Sequence, residues 1–112
     1  MALLPRLFLM PSIEALQKLL EQDPADAFVL YGLAHEYAKL SQHDTAVGYY
    51  DRCIAADAGY CYAYYHKARS QQSMGKVDDA RKTINAGIKV AKKAGDDHAE
   101  YELRALLEGM DD

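Results

Sequence analysis

The sequence predicts an all-α fold of antiparallel helix–turn–helix units, stacked as a short right-handed α-solenoid. Three observations carry this. Apolar residues recur at helical spacing along most of the chain, and no run of alternating β-branched residues marks a strand. Past Pro11 the only proline is Pro24, so no long helical stretch is interrupted. The chain also matches itself at a shift of 34 residues, a period typical of helical arrays. At 112 residues and half hydrophobic, the chain reads as one small domain with one core.

Each element follows from local signals. In "PSIEALQKLLEQDP", Ser12 is placed to cap the helix; Ile13, Leu16, Leu19 and Leu20 form one apolar face until "DP" stops it. "ADAFVLYGLAHEYAKLS" puts Leu30, Leu33, Ala34 and Tyr37 on one side. After the turn "SQH", Asp44 is expected to cap "DTAVGYYDRCIAA". "AGYCYAYYHKARSQQSMGK" repeats the first kind of helix and "VDDARKTINAGIKVAKKA" the second. A sixth amphipathic helix lies in "DDHAEYELRALLEGMDD". The register of "KKAGDDHA" leaves open whether Leu103, Leu106 and Leu107 face groove or core.

The 34-residue shift lays Asp23 on Asp57, Phe28 on Tyr62, Tyr31 on Tyr65 and Ala34 on Ala68. It also lays Ser41 on Gly75, Asp44 on Asp78, Ala46 on Ala80, Tyr50 on Ile84 and Ile54 on Ile88. Small residues at Ala34, Ala68, Ala46 and Ala80 let backbones approach, while Tyr37, Tyr50 and Ile84 fill the space between helices.

This spacing resembles the tetratricopeptide repeat, a 34-residue unit with the pattern W-x2-L-G-x2-Y, then A-x3-F, then P. In residues 27–60 those places hold Leu30, Leu33, Ala34, Tyr37, Ala46, Tyr50 and Ala58. In residues 61–94 they hold Tyr64, Lys67, Ala68, Gln71, Ala80, Ile84 and Lys92, with departures at Lys67, Gln71 and Lys92. The resemblance implies an apolar segment at 1–11 and a single domain at 12–110. Within the domain it implies a lone second-half helix at 12–24, repeats at 27–60 and 61–94, and a capping helix at 96–110. Pro24 then stands where the repeat's terminal proline belongs.

In such an array the first helix of each unit lines a concave groove. Tyr64 is then the core anchor and Ala68 the close-approach position. Tyr62 and Tyr65 fall on the groove side above Phe28 and Tyr31, and His35, Lys39, Arg69 and Gln72 share that face. The resemblance implies a binding surface for a peptide or protein partner, with rigid aromatics supplying area and cations fixing orientation. The competing reading is that these rings only pack on one another and on a chain terminus. A Lys/Arg/Asn clamp for chaperone carboxylates is disfavoured, because its positions hold Tyr31, His35 and His66.

Other function classes are argued against. A net charge of −4 with scattered acids gives no basic stripe for nucleic acid. The five cations of "RKTINAGIKVAKK" sit mostly toward a helix C-terminus, where they favour the dipole. No stretch approaches the ~20 apolar residues of a membrane span, no secretory pattern opens the chain, and a cytoplasmic location is expected. Cys53 and Cys61 read as buried thiols, with a disulfide as the minor alternative.

No enzyme, metal or cofactor is expected, since the four histidines lack any convergent ligand or catalytic spacing. His43 and His98 read as surface residues, His66 as partly exposed beside the groove, and His35 and His66 as able to meet across helices. A second hypothesis comes from "ALLPRLFLMP", whose Leu3, Leu4, Leu7, Phe8, Leu9 and Met10 have no place in the repeat. The segment docks onto an aromatic groove, its own or a second copy's, the latter giving a homodimer; a hydrophobic staple onto the first helix is equally consistent.

Overall fold

Ser12 starts the first helix, its Oγ accepting the Ala15 backbone N–H at 3.0 Å. The structure, a computed structural model, describes residues 12–110. The described residues form six helices: α1 (Ile13–Gln22), α2 (Ala27–Lys39), α3 (His43–Ala56), α4 (Cys61–Ser73), α5 (Val77–Ala94) and α6 (Asp97–Gly109). There is no strand among the described residues. The expectations placed on residues 1–11 lie outside the described residues.

The 34-residue shift reappears in the backbone. Helices α2 and α4 are each 13 residues long, and α3 begins 34 residues before α5. Asp23 and Asp57 end α1 and α3 with nearly the same angles, φ −145° and −148°. Each folds its carboxylate back onto the backbone, Asp23 accepting from Ala25 N at 3.2 Å and Asp57 from Gly59 N at 3.0 Å. Ser41 and Gly75 both take the left-handed conformation, with φ of 61° and 78°. That single left-handed residue reverses the chain between the helices of each pair, and glycine meets the requirement without strain.

The repeat breaks after α5. A helix starting 34 residues after Cys61 would begin at Gly95, but Gly95 is left-handed (φ 70°) and closes α5, so α6 starts at Asp97. The Asp96 carboxylate then caps α6 through Ala99 N at 3.0 Å.

Packing follows the small–large pattern. Ala34, Ala46, Ala68 and Ala80 are wholly buried, as are Tyr50 and Ile84. Two apolar clusters share the work, one joining α1 to α4 and the other joining α4, α5 and α6. Each large apolar side chain buried this way contributes about 2 kcal/mol relative to an exposed one. Two of the three departures in the second unit, Lys67 and Gln71, find partners on neighbouring helices. The Lys67 amine reaches Asp51 of α3 at 2.6 Å, and buried Gln71 accepts the Thr83 hydroxyl at 2.7 Å.

Two expectations change in detail, and one question left open is answered. Leu19 is exposed rather than part of the buried face of α1, because among the described residues α2 alone packs against α1 and covers only a narrow stripe. Helix α3 begins at His43 with no side-chain cap; Asp44 lies inside the first turn and accepts the Thr45 N–H at 2.8 Å. Leu103 settles into the core at 1% exposure, with Leu106 and Leu107 half-buried against the same cluster. Cys53 and Cys61 are buried free thiols.

The sites of helix contact set the curvature. Alternate helices meet along one row, α2 with α4 and α4 with α6. Their counterparts in the other row, α1 with α3 and α3 with α5, show no comparably close backbone approach among the described residues. A stack that touches along one row and splays along the other is concave on the touching side. The inner face is therefore that of α2, α4 and α6.

Candidate partner-binding face

Aromatic rings form a continuous stripe across this inner face. Tyr31 of α2 is the hub: its ring lies 4.9 Å from Tyr60, 5.6 Å from His35 and 5.8 Å from His66, centroid to centroid. His35 and His66 meet edge to face at 4.7 Å, across α2 and α4. His66 continues to Tyr65 at 5.0 Å, Tyr65 to Tyr62 at 6.4 Å, and Tyr62 to His98 of α6 at 6.3 Å. Offset and edge-to-face contacts of this kind are favourable beyond their buried area. Beneath the stripe, the hydroxyl of buried Tyr50 shares a hydrogen bond of 3.3 Å with His35 Nδ1.

Burial sets the protonation of these groups. The Tyr31 hydroxyl is pushed up to about 12, by desolvation first and by Tyr60 second. Burial also raises Tyr50 and Tyr60, so both hydroxyls remain neutral. His66 is lowered to about 4, by desolvation first and then by neighbouring His35 and Arg69. It is half-buried, in keeping with the partly exposed position expected beside the groove, and neutral at pH 7.

Beside the stripe lies an open pocket of about 250 Å³ bounded by α2, α3 and α4. His35, Lys39 and Ala38 line it from α2, His43 and Tyr50 from α3, and His66, Arg69, Ser70 and Ser73 from α4. His43 is not the surface residue expected of a turn. It opens α3, is half-buried, and shares a 3.2 Å hydrogen bond with Ser70 Oγ. Lys39 pairs with Glu36 at 2.8 Å.

The eight residues expected to form the groove thus divide. Tyr31, His35, Tyr62 and Tyr65 lie in the stripe, while His35, Lys39 and Arg69 line the pocket. Phe28 is 74% exposed at the start of α2, outside both sets of contacts. Gln72 is exposed and outside the pocket lining. The sequence reading passed over Tyr60, Tyr50 as a polar group, and His43 with Ser70. Only Tyr50 carried a usable signal: a core tyrosine needs a partner for its hydroxyl. Among the described residues no group of three or more His, Cys, Asp or Glu is arranged to hold a metal ion. None of their helices is long and apolar enough to cross a membrane.

Residues 15–48 match a family model described as tetratricopeptide repeat, and residues 62–86 match a second with the same description. The chain is 27% identical over 99 residues to the TPR repeat-containing protein PA0015 of Pseudomonas aeruginosa, covering 88% of this chain and 94% of that one. A tetratricopeptide repeat domain protein from Salinibacter ruber, solved by NMR, is similar at TM-score 0.73 and 29% identity, over 80% of this chain and 90% of that one. PcrH, solved with the chaperone binding region of PopD, is similar in fold at TM-score 0.82 and 20% identity. That match covers 88% of this chain and 74% of PcrH.

Proposed function

The chain belongs to the tetratricopeptide repeat family, and on that premise we propose that it is an adaptor holding a peptide or protein segment against the inner face of α2, α4 and α6. The observation that carries this reading is the aromatic stripe from Tyr60 through Tyr31, His66 and Tyr65 to Tyr62. It lies where helices converge, so a bound segment would touch two or three helices at once. Tyrosine side chains give large contact area for little rotamer entropy, which suits them to such anchoring. Phe28, Tyr31, His35, Lys39, Tyr62, Tyr65, Arg69 and Gln72 form the contact set. The solved complex of PcrH with a segment of PopD gives a precedent for this fold holding another protein's chain. Within this reading, α2–α3 and α4–α5 are the two repeats (27–60 and 61–94), α1 is a lone second-half helix and α6 a cap.

The test is to select peptides from a displayed library on the purified protein and measure the best binder on two variants. Tyr65→Ala on the inner face is expected to weaken binding about tenfold or more. Tyr49→Ala, whose ring stacks on Tyr37 at 5.5 Å away from the stripe, is expected to leave it unchanged. The opposite pattern overturns the proposal.

A second reading fills the same face with residues 1–10 of this chain or of a second copy, on the strength of the six large apolar residues in that stretch. Light scattering on the full chain and on a chain starting at Pro11 separates the two. A dimer that becomes a monomer on truncation favours self-association, and a monomer in both forms favours the adaptor.

A further inference from the structure

The 34-residue repeat leaves one row of side chains on α1 without the cover that its counterparts have. The shift lays Ser12, Ala15 and Leu19 on Ala46, Tyr49 and Cys53 of α3, and on Ala80, Thr83 and Gly87 of α5. On α3 and α5 this row faces the first helix of its own pair. Tyr49 stacks on Tyr37 of α2 at 5.5 Å, and Thr83 donates to Gln71 of α4 at 2.7 Å. Gly87 lies against Tyr64 of α4, where an added Cβ would stand 2.7 Å from Tyr64 Cβ. Ala46, Cys53 and Ala80 are wholly buried as a result. On α1 the row is open among the described residues: Ser12 and Ala15 are exposed, and Leu19 is 51% exposed. The far end of the stack is finished differently. Helix α6 begins at Asp97 and α4 at Cys61, 36 residues apart, which lays Glu100 and Arg104 on Tyr64 and Ala68. The Arg104 Nε–Glu100 Oε2 ion pair at 2.9 Å therefore puts charge where the α1 of a second copy would have to sit.

We propose that residues 1–10 of the same chain lie along this row of α1, in the place that α2 takes on α3 and α4 takes on α5. Position, length, composition and register argue for that occupant. The segment leads directly to Ser12, the first residue of the row. Ser12 to Leu19 covers about 10 Å at the helical rise, and ten residues of chain reach up to about 33 Å, enough to turn back and follow the row. Leu3, Leu4, Leu7, Phe8, Leu9 and Met10 supply apolar surface to take Ala15 and Leu19 out of water, which a polar linker would not. The 34-residue shift also lays Leu3 on Tyr37 and on Gln71, the two residues that meet Tyr49 and Thr83, so Leu3 is the partner expected for Ala15. No residue of the aromatic stripe lies on α1, so this seat leaves the inner face open. The inference is independent of the adaptor reading and competes with the second reading above for the same residues.

The experiment is a coupling cycle on the full chain, read by thermal melts and by methyl and aromatic NMR. One variant carries Leu3→Ser, Leu4→Ser and Leu7→Ser, a second carries Leu19→Gln, and a third carries both sets. Each of the first two is expected to lower Tm by roughly 4 °C. The combination is expected to lower it hardly further than either alone, because both remove the same contact. The segment substitutions are also expected to shift the methyl signals of Ala15 and Leu19 while the ring signals of Tyr62 and Tyr65 stay in place. Tyr101→Gln, at a 72% exposed position on α6, is the uncoupled control. The unmutated chain is expected to melt at a temperature independent of its concentration. Additive losses, or unmoved Ala15 and Leu19 methyls, overturn the proposal. Shifts at Tyr62 and Tyr65 instead assign the segment to the inner face, and a coupling that fades on dilution assigns it to a second copy; either overturns the same-chain seat. If the triple variant folds poorly, the methyl shifts caused by Leu3→Ser alone decide. Selected peptides that bind independently of Tyr65 remove the adaptor reading and leave this seat standing.

Discussion

Gly87→Ala is expected to destabilise the protein even though alanine is the better helix former. Gly87 lies within α5, facing α4 and α6. A Cβ built there would stand 2.7 Å from Tyr64 Cβ and 3.2 Å from both Tyr64 Cγ and Leu103 Cδ1. Tyr64 Cβ is fixed to the α4 backbone, so relief requires the two helices to separate rather than a side chain to swing away. Tyr64 and Leu103 are 8% and 1% exposed, so the surrounding core has little room to yield. Overpacking of this kind costs about 1–3 kcal/mol, and the backbone-linked contact places it at the upper end. Alanine's helix propensity returns about 1 kcal/mol, leaving a net loss of about 2 kcal/mol. For a domain of this size that is a fall in Tm of roughly 8 °C by calorimetry or circular dichroism. Ala86→Gly, at the exposed neighbouring position, isolates the propensity term and is expected to cost about 1 kcal/mol. A Gly87→Ala protein that melts at or above the unmutated temperature refutes the close approach of α4 and α5.

Three further outcomes follow from buried polar groups. His66 titrates at about 4 in the fold against an ordinary 6.5, so the unfolded chain binds the extra proton; stability is full above about pH 6.5 and declines as pH falls toward 4. Taken whole, the shift would be worth on the order of 3 kcal/mol. The half-buried ring is screened by water, so about 1–2 kcal/mol is expected, and denaturant melts of His66→Gln should lose that part of the slope. Thr83→Val leaves the buried Gln71 Oε1 without its 2.7 Å donor and is expected to cost about 1–2 kcal/mol. The Thr83→Val, Gln71→Leu double variant should recover part of this in the same melts. Cys53 is fully buried, and its thiol is raised to about 11 by desolvation first and Asp57 second. Iodoacetamide at pH 7.5 should therefore label it only as fast as the chain unfolds, and rapid labelling of the native protein would contradict its placement.

The fold was largely legible because its signals are local and repeated. The 34-residue match of Asp23 with Asp57 and Ser41 with Gly75 anticipated shared turn geometry, since each pair performs the same backbone task. Alanines at 34, 46, 68 and 80 marked the close contacts for the same reason. The break at Gly95 was harder to read, because a left-handed glycine closes a helix wherever the tertiary packing ends it. On the inner face, sequence placed Tyr31, His35, Tyr62 and Tyr65 by helical spacing. It did not reveal that Tyr60, just before α4, lies against Tyr31, or that His43 reaches Ser70. Those contacts join residues 29 and 27 positions apart, and they depend on how the helices are placed in space rather than on any spacing within one helix. Phe28 shows the converse: it matches Tyr62 in the repeat yet stands exposed, because a shared position fixes direction and not the neighbour met there.

The most direct measurement is chemical-shift mapping of a library-selected peptide on the isotope-labelled protein. The account predicts that the largest changes fall on Tyr31, His35, Tyr62, Tyr65 and Arg69, on α2 and α4, with Tyr49 and the exposed side of α5 unmoved. Changes concentrated on α1, α3 and α5 instead would contradict it.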